Sequence, residues 1–318
     1  MSENMIEILE LTRYYGLNRV LDQISLNVKR GEVMGFLGPN GAGKTTTMRI
    51  LVGLLAPTEG SIRIAGLDAL EKPEAARARI GFLPESPPIY DDMTVREYLG
   101  YLATLRGVAT SQRKSAVERA MTHCGLTDMA DRLLAHLSKG YRQRAGIAQA
   151  IVHSPDVVIL DEPTAGLDPL QIREIRHLIR TLGGEHSVLL STHILPEVQM
   201  TCDRVALIHR GRIVVEDTLA GLEQRSQNKS RLAVRWGNPP DEKNILAIPG
   251  IATATFADGL WHLSPAEQAD PIPELVKRSV ANNWDLRELT PDSHSLEDIF
   301  IQLTQADSSP NTAAEVSP

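Results

Sequence analysis

The stretch Gly38-Pro39-Asn40-Gly41-Ala42-Gly43-Lys44-Thr45 decides the fold. It matches G-x-x-x-x-G-K-[ST] and stands between a short apolar run, Glu32 to Leu37, and a segment of helical spacing, Thr45 to Leu55. Glycines let a backbone wrap a phosphate and aim N–H groups inward, and a helix beginning near Lys44 adds the positive end of its dipole. Lys44 can then reach the β- and γ-phosphates, the Thr45 hydroxyl can ligate Mg2+, and Thr46 adjoins the same phosphates. A glycine-rich turn that binds nothing is the plain alternative, and the strand before and helix after oppose it. By itself the loop specifies a nucleoside triphosphate and nothing narrower.

On either side, strand-like and helix-like segments alternate, which predicts an α/β core. Ile6 to Leu11 and Val20 to Val28 read as half-buried strands, and Arg79 to Leu83 as a strand stopped by Pro84. From about Pro87 to His153 strand runs are lacking, and Thr94-Val95-Arg96-Glu97 has the form of a capping box. Strands return at Val157 to Leu160, Val188 to Leu190, Val205 to Ile208 and Arg212 to Val215. A helical insertion therefore divides the core.

Val157-Val158-Ile159-Leu160-Asp161-Glu162 is an apolar strand ending in two acids. A buried strand delivers Asp161 to the sheet end where the phosphate loop also lies, so it can hold Mg2+ directly or through water. Glu162 then faces the position of an attacking water and can act as general base. The plain alternative is an acidic pair capping the next turn, at Pro163-Thr164.

Leu137-Ser138-Lys139-Gly140-Tyr141-Arg142-Gln143-Arg144 offers a second site for phosphate. Ser138 is a good N-cap for a helix running to Val152, and Gly140 leaves the start of that helix open to an anion. Two phosphate sensors in one chain suggest a nucleotide held between two copies.

This segment resembles the signature motif of the ABC ATPase family, and the resemblance covers about Met5 to Glu223. It implies a P-loop cassette with an α/β core, an antiparallel β subdomain and a helical insertion, spanning residues 4–225 with the helical part at about 87–153. Tyr15 takes the place of the aromatic that stacks on adenine, and Asp161-Glu162 ends the Walker B strand. Ala165-Gly166-Leu167-Asp168 looks like the D-loop, and Asp168 before Pro169 also suits a helix N-cap. Ser191-Thr192-His193 looks like the switch histidine, which contacts the γ-phosphate in that family. Two departures stand out. Lys139 follows the signature serine where many members have glycine, and Glu85 replaces the usual Q-loop glutamine. Both resemble the exporter and gliding-motility-type branch. A carboxylate at Glu85 can still ligate Mg2+ or orient water, yet it adds negative charge beside phosphates.

The resemblance further implies a homodimer with ATP between the P-loop of one copy and Ser138–Gly140 of the other. It also implies a separate membrane permease received by the segment near 85–98, where Pro87-Pro88-Ile89-Tyr90 and Met93 offer apolar surface. The chain would then work in the cytoplasm, peripheral to the membrane. Local packing is the plain alternative for that surface.

After the cassette, Gln227-Asn228-Lys229-Ser230 reads as a linker. Strands at Arg231 to Trp236, Ile251 to Phe256, Leu260 to Leu263 and Asp285 to Leu289 interleave with helices at Lys243 to Ala247 and Pro273 to Ala281. That order predicts a small α+β accessory domain over 226–304, ferredoxin-like in arrangement, closing with an apolar helix at Leu296 to Leu303. The Ser- and Pro-containing residues 305–318 read as a disordered tail.

Bulk properties set the limits. The 318 residues carry 33 basic and 40 acidic side chains, a net charge of −7, which argues against a nucleic-acid footprint. Cys124 and Cys202 lack metal-ligand spacing and read as buried thiols. The first ten residues lack a secretory pattern, and no apolar run reaches the ~18–20 residues of a membrane span. A soluble ABC ATPase of translation or repair remains the first competing reading. No long heptad segment or second cassette supports it. A GTPase or small-molecule kinase would leave the signature segment without a role, and the intact Lys44, Asp161 and Glu162 oppose a non-catalytic scaffold.

Overall fold

The computed structural model describes residues 4–221, 231–257, 259–266 and 269–292. The chain divides into two compact units, Met1–Leu219 and Ala220–Pro318.

Three strands of the first unit are buried from end to end: β3 (Val33–Leu37), β7 (Val157–Asp161) and β8 (Ser187–Thr192). Continuous apolar runs of this kind belong at the centre of a sheet covered on both faces. They do so here. With β6 (Ile80–Leu83), β9 (Arg204–His209) and β10 (Arg212–Thr218) they form a six-stranded sheet in the order β10-β9-β3-β8-β7-β6. All neighbours run parallel except β10 against β9.

A separate antiparallel sheet has the order β2-β1-β4-β5, built from β1 (Asn4–Tyr15), β2 (Asn18–Lys29), β4 (Glu59–Ile64) and β5 (Leu67–Asp68). Helix α1 (Lys44–Leu51) places Met48 and Leu51 in one core with Ile6, Ile24 and Ile62 of this sheet and Phe36 and Ile159 of the other. The helix stops four residues short of the expected Leu55. Gly53 takes a φ of 73°, and its N–H closes on the carbonyl of Ile50, a left-handed end that glycine supplies without Cβ strain.

A short helix, α2 (Pro73–Ala78), precedes β6, and the helical insertion contains α3 (Val95–Leu105), α4 (Thr110–His123) and α5 (Lys139–Ile151), with two short 3-10 turns between α4 and α5. The capping box forms as read: Thr94 Oγ1 accepts from the Glu97 N–H, and the Glu97 carboxylate accepts from Thr94 N–H at 2.8 Å. On the far face of the parallel sheet lie α6 (Pro169–Leu182) and α7 (Leu195–Thr201). The apolar stripe of α6 is Ile175, Leu178, Ile179 and Leu182, the i, i+3, i+4, i+7 spacing of a one-sided helix.

The second unit is a four-stranded antiparallel sheet ordered β12-β13-β11-β14, from Arg231–Trp236 (β11), Ile251–Ala257 (β12), Leu260–Pro265 (β13) and Leu286–Asp292 (β14). Helices Glu242–Leu246 and Ile272–Ala281 fill the two crossovers, so the order is that of a split β-α-β, as expected. Trp236, Ile245, Leu263 and Leu275 pack its core. The expected linker at 227–230, helix at 296–303 and tail at 305–318 lie outside the described residues.

Candidate active site

The phosphate loop joins β3 to α1 at the C-terminal edge of the parallel strands, where ligands of open α/β sheets bind. Gly43 sits immediately before α1 with φ 111° and ψ 0°, and Gly41 has φ 79°. An L side chain at either would be strained, so the loop shape depends on the glycines. A Cβ on Gly43 would also meet Leu21 Cδ2 at 2.6 Å. The start of α1 carries no side-chain cap, which leaves its N–H groups for an anion.

Lys44 is 6% exposed and donates to the carbonyl oxygens of Gly38 at 2.7 Å and Pro39 at 3.2 Å. Its Nζ also lies 3.6 Å from Glu162 Oε1. Burial lowers its pKa from the usual lysine value, and the charges of Glu162, Asp161 and Glu85 pull it partly back. Three acids therefore hold one buried cation in a site shaped for phosphate.

The register of β7 on β8 sets Asp161 opposite Ser191, whose hydroxyl donates to Asp161 Oδ1 at 2.7 Å. Glu162, one residue on, has a φ of 48°, an uncommon conformation for a side-chain-bearing residue, with a cost on the order of 1–2 kcal/mol. Its N–H donates to Ser191 O at 2.9 Å, and its carboxylate Oε2 lies 2.9 Å from His193 Nδ1. His193 is half exposed and Glu162 is largely buried. The left-handed turn thus swings the carboxylate away from the strand axis and toward both Lys44 and His193.

A cavity of about 310 Å3 is lined by Asn40, Gly41, Gly43, Lys44, Thr45, Thr46, Glu85, Glu162 and His193, together with Val20 and Ala165. Nine expected residues thus meet in one place. Val20, at the start of β2, had no sequence signal, because an ordinary strand valine has no chemistry to mark it. Ala165 was marked only as part of the D-loop.

Other expected residues lie apart from that cavity. Tyr15 is exposed at the end of β1, with the Arg13 guanidinium 5.0 Å from its ring centroid. Ser138 caps α5, accepting from Tyr141 N–H at 3.5 Å, and Asp168 caps α6, accepting from Leu170 and Gln171 N–H at 3.0 Å each. Gly140 is not open in the way its sequence suggested. It is buried, and a Cβ there would meet Gln171 Cδ at 2.7 Å, so the first turn of α6 occupies the space beside it. Lys139 lies against the turn after Glu162: a Cβ on Gly166 would come within 2.2 Å of its Nζ. The signature segment thus packs on the D-loop corner of its own chain.

Thr45, Glu85 and Asp161 supply hydroxyl and carboxylate oxygens, the hard donors that Mg2+ prefers. Among the described residues no group of three or more His, Cys, Asp or Glu side chains could hold a metal alone.

Residues 21–165 match a family model described as ABC transporter. The bacitracin transport ATP-binding protein of Bacillus licheniformis is 35% identical over 301 residues, covering 94% of this chain and 97% of that protein. The chain belongs to the ABC transporter ATP-binding family. It is an ATPase subunit of such a transporter, and its cassette has that family's fold. The Nod factor export ATP-binding protein I of Paraburkholderia xenovorans is 34% identical, covering 96% of this chain and 98% of that protein. A solved ATP-binding subunit of an ABC transporter matches 69% of this chain and 92% of its own length, with a TM-score of 0.63 and 32% identity. A dimeric bacterial ABC transporter cassette matches 67% of this chain and 98% of its own at a TM-score of 0.61; at 24% identity it shares the fold. No helix among the described residues is long and apolar enough to cross a membrane.

Proposed function

We propose that two copies of this chain close around ATP, each supplying the phosphate loop to one nucleotide and Ser138–Gly140 to the other. The observation that carries this reading is the division of the site. Lys44, Thr45, Glu85, Glu162 and His193 line one cavity, while Ser138 and Gly140 of the same chain do not line it. The phosphate loop and the Ser138–Gly140 segment are both present, yet one chain does not bring them together, and in the closed pair Gln171 must move from beside Gly140 to admit the phosphate.

In this arrangement Gly38 to Thr46 wrap the phosphates and Lys44 neutralises them. Thr45, Asp161 and Glu85 would hold Mg2+, whose charge stabilises the charge that develops on the transferred phosphoryl group. Glu162 accepts a proton from the attacking water. His193, hydrogen-bonded through Nδ1 to Glu162, presents its other ring nitrogen to the γ-phosphate. Tyr15 stacks on the adenine once the Arg13 guanidinium moves aside. Asp168 shapes the D-loop that faces the partner copy.

The transported substrate is exported, a direction supported by the full-length similarity to relatives named for bacitracin transport and Nod factor export. The segment near 85–98 receives a separate permease, which keeps the chain on the cytoplasmic face of the membrane. There Tyr90 is exposed against Tyr98 and Tyr101, with ring centroids 6.1 and 5.8 Å away. Residues 226–304 act as an accessory module to the cassette at 4–225.

Size-exclusion chromatography of Glu162→Gln tests the shared site. With ATP and Mg2+ it should elute as a dimer, and adding Ser138→Glu should return it to monomer with ATP still bound. A Glu162→Gln protein that binds ATP and stays monomeric would overturn the shared site. Crosslinking from 85–98 to a co-purified multispanning protein tests the permease contact.

A further inference from the structure

Among the described residues of the cassette, Glu197 is the most deeply buried carboxylate that the proposed chemistry does not use. It lies in α7, four residues after His193, and is 1% exposed. Among the described residues it forms no ion pair, so hydroxyl groups alone hold it. Thr192 Oγ1 donates to its Oε2 at 2.7 Å, and Thr164 Oγ1 donates to its Oε1. Both threonines are themselves buried, at 0% and 3% exposure.

The places of those two threonines matter. Thr164 follows Glu162 by two residues, and Thr192 immediately precedes His193. Thr192 Oγ1 also accepts from Ile194 N–H at 3.1 Å, and the Thr192 carbonyl accepts from the Gly38 N–H at 3.2 Å. One buried side chain therefore ties the loop after β7 to the loop after β8, directly beneath the phosphate loop. A carboxylate suits this task because both of its oxygens accept, which fixes each hydroxyl as a donor and so fixes its rotamer.

We propose that Glu197 is a positioning residue for ATP hydrolysis. Through Thr164 and Thr192 it sets the spacing between the Glu162 carboxylate and the His193 imidazole. It touches neither nucleotide nor water itself. The inference rests on the roles given to Glu162 and His193 above. Replacing Glu197 by glutamine exchanges one acceptor for a donor, so one threonine hydroxyl must turn from donor to acceptor, and the charge-assisted hydrogen bond on that arm is replaced by a weaker neutral one. Small displacements of a base and its orienting partner lower turnover much more than ground-state nucleotide binding.

The test compares steady-state ATPase kinetics and thermal melting of the full chain. Thr164→Val, Thr192→Val and Glu197→Gln should each lower kcat about tenfold or more, with the KM for ATP within about twofold. Thr164→Ser and Thr192→Ser keep the hydroxyl and should restore kcat to within about twofold of the parent. Because the arms form one unit, the double valine variant should be little worse than the more severe single one. Glu162→Gln and His193→Ala run alongside. If these two lose turnover while the valine and glutamine variants keep it, the positioning role fails alone. It also fails if kcat, KM and melting temperature worsen together without rescue by serine, which is the pattern of a merely structural contact. Parent-like turnover in Glu162→Gln would remove the catalytic reading and the positioning role with it. Should the valine variants not fold, Glu197→Gln and the serine pair still decide.

Discussion

His193 Nδ1 lies 2.9 Å from Glu162 Oε2, although the two residues stand on different strand ends, 31 positions apart in the chain. The contact joins the proposed base to the proposed phosphate sensor, so their effects on turnover should not be independent. Glu162→Gln should lower the rate of phosphate release by about 100-fold or more while ATP still binds, the scale of a lost general base. The double variant with His193→Ala should be scarcely slower than the worse single variant, as for residues that act as a unit. Multiplicative losses in the two single variants would argue for separate roles.

Glu85 lines the same cavity as the phosphate loop and adds a carboxylate to its wall. It also helps hold the Lys44 proton. Glu85→Gln should tighten ATP binding without Mg2+ by a few-fold, roughly 1 kcal/mol, because a like charge is removed from beside the phosphates. It should raise the Mg2+ concentration needed for half-maximal ATPase activity, because a hard oxygen donor is weakened. Titration calorimetry and Mg2+-dependent kinetics measure the two effects separately.

Gly81 lies in β6 where α5 crosses it, and a Cβ there would come within 2.0 Å of the Ala150 carbonyl oxygen. Backbone cannot yield as a side-chain tip can. Gly81→Ala should therefore destabilise the cassette by about 1–3 kcal/mol or more, read as a lower urea midpoint. Since Glu85 lies two residues past the end of β6, the variant should also change Mg2+ dependence.

His153, just past α5, places Nε2 3.2 Å from the Ile80 carbonyl, and its Nδ1 is buried without a partner. Burial, with Arg106 and His186 nearby, lowers its pKa from 6.5 to about 4. The unfolded chain therefore takes up the proton first as pH falls. Stability from this group is complete above about pH 6.5 and is lost as the pH drops toward about 4. The side chain is only partly exposed, and the loss should be on the order of 2 kcal/mol. His153→Gln keeps a donor for Ile80 but cannot titrate, so its denaturation midpoint should fall less between pH 7 and pH 4.5.

The parts of the site legible in the sequence are those whose chemistry sits in a few consecutive residues. Gly41 and Gly43 announce a left-handed phosphate loop, Asp161-Glu162 an acidic strand end, and Ser138 and Asp168 their helix caps. The hairpin of β4 and β5 and the short helix Pro73–Ala78 escaped that reading, because elements of six residues or fewer are too short to establish a period. The surroundings of Gly140 were not legible for a different reason. A glycine at a helix start can admit a ligand or a neighbouring side chain, and only packing showed that Gln171 takes the space.

The sequence by itself determined the ligand class, which follows from the spacing and glycine geometry of the phosphate loop, and its motifs carried the resemblance to the family. Only the tertiary structure decided that Val20 lines the cavity, that Glu162 turns left-handed toward His193, and that Glu197 binds Thr164 and Thr192 together. Those contacts depend on the parallel register that sets Asp161 beside Ser191, and register is a property of the assembled sheet.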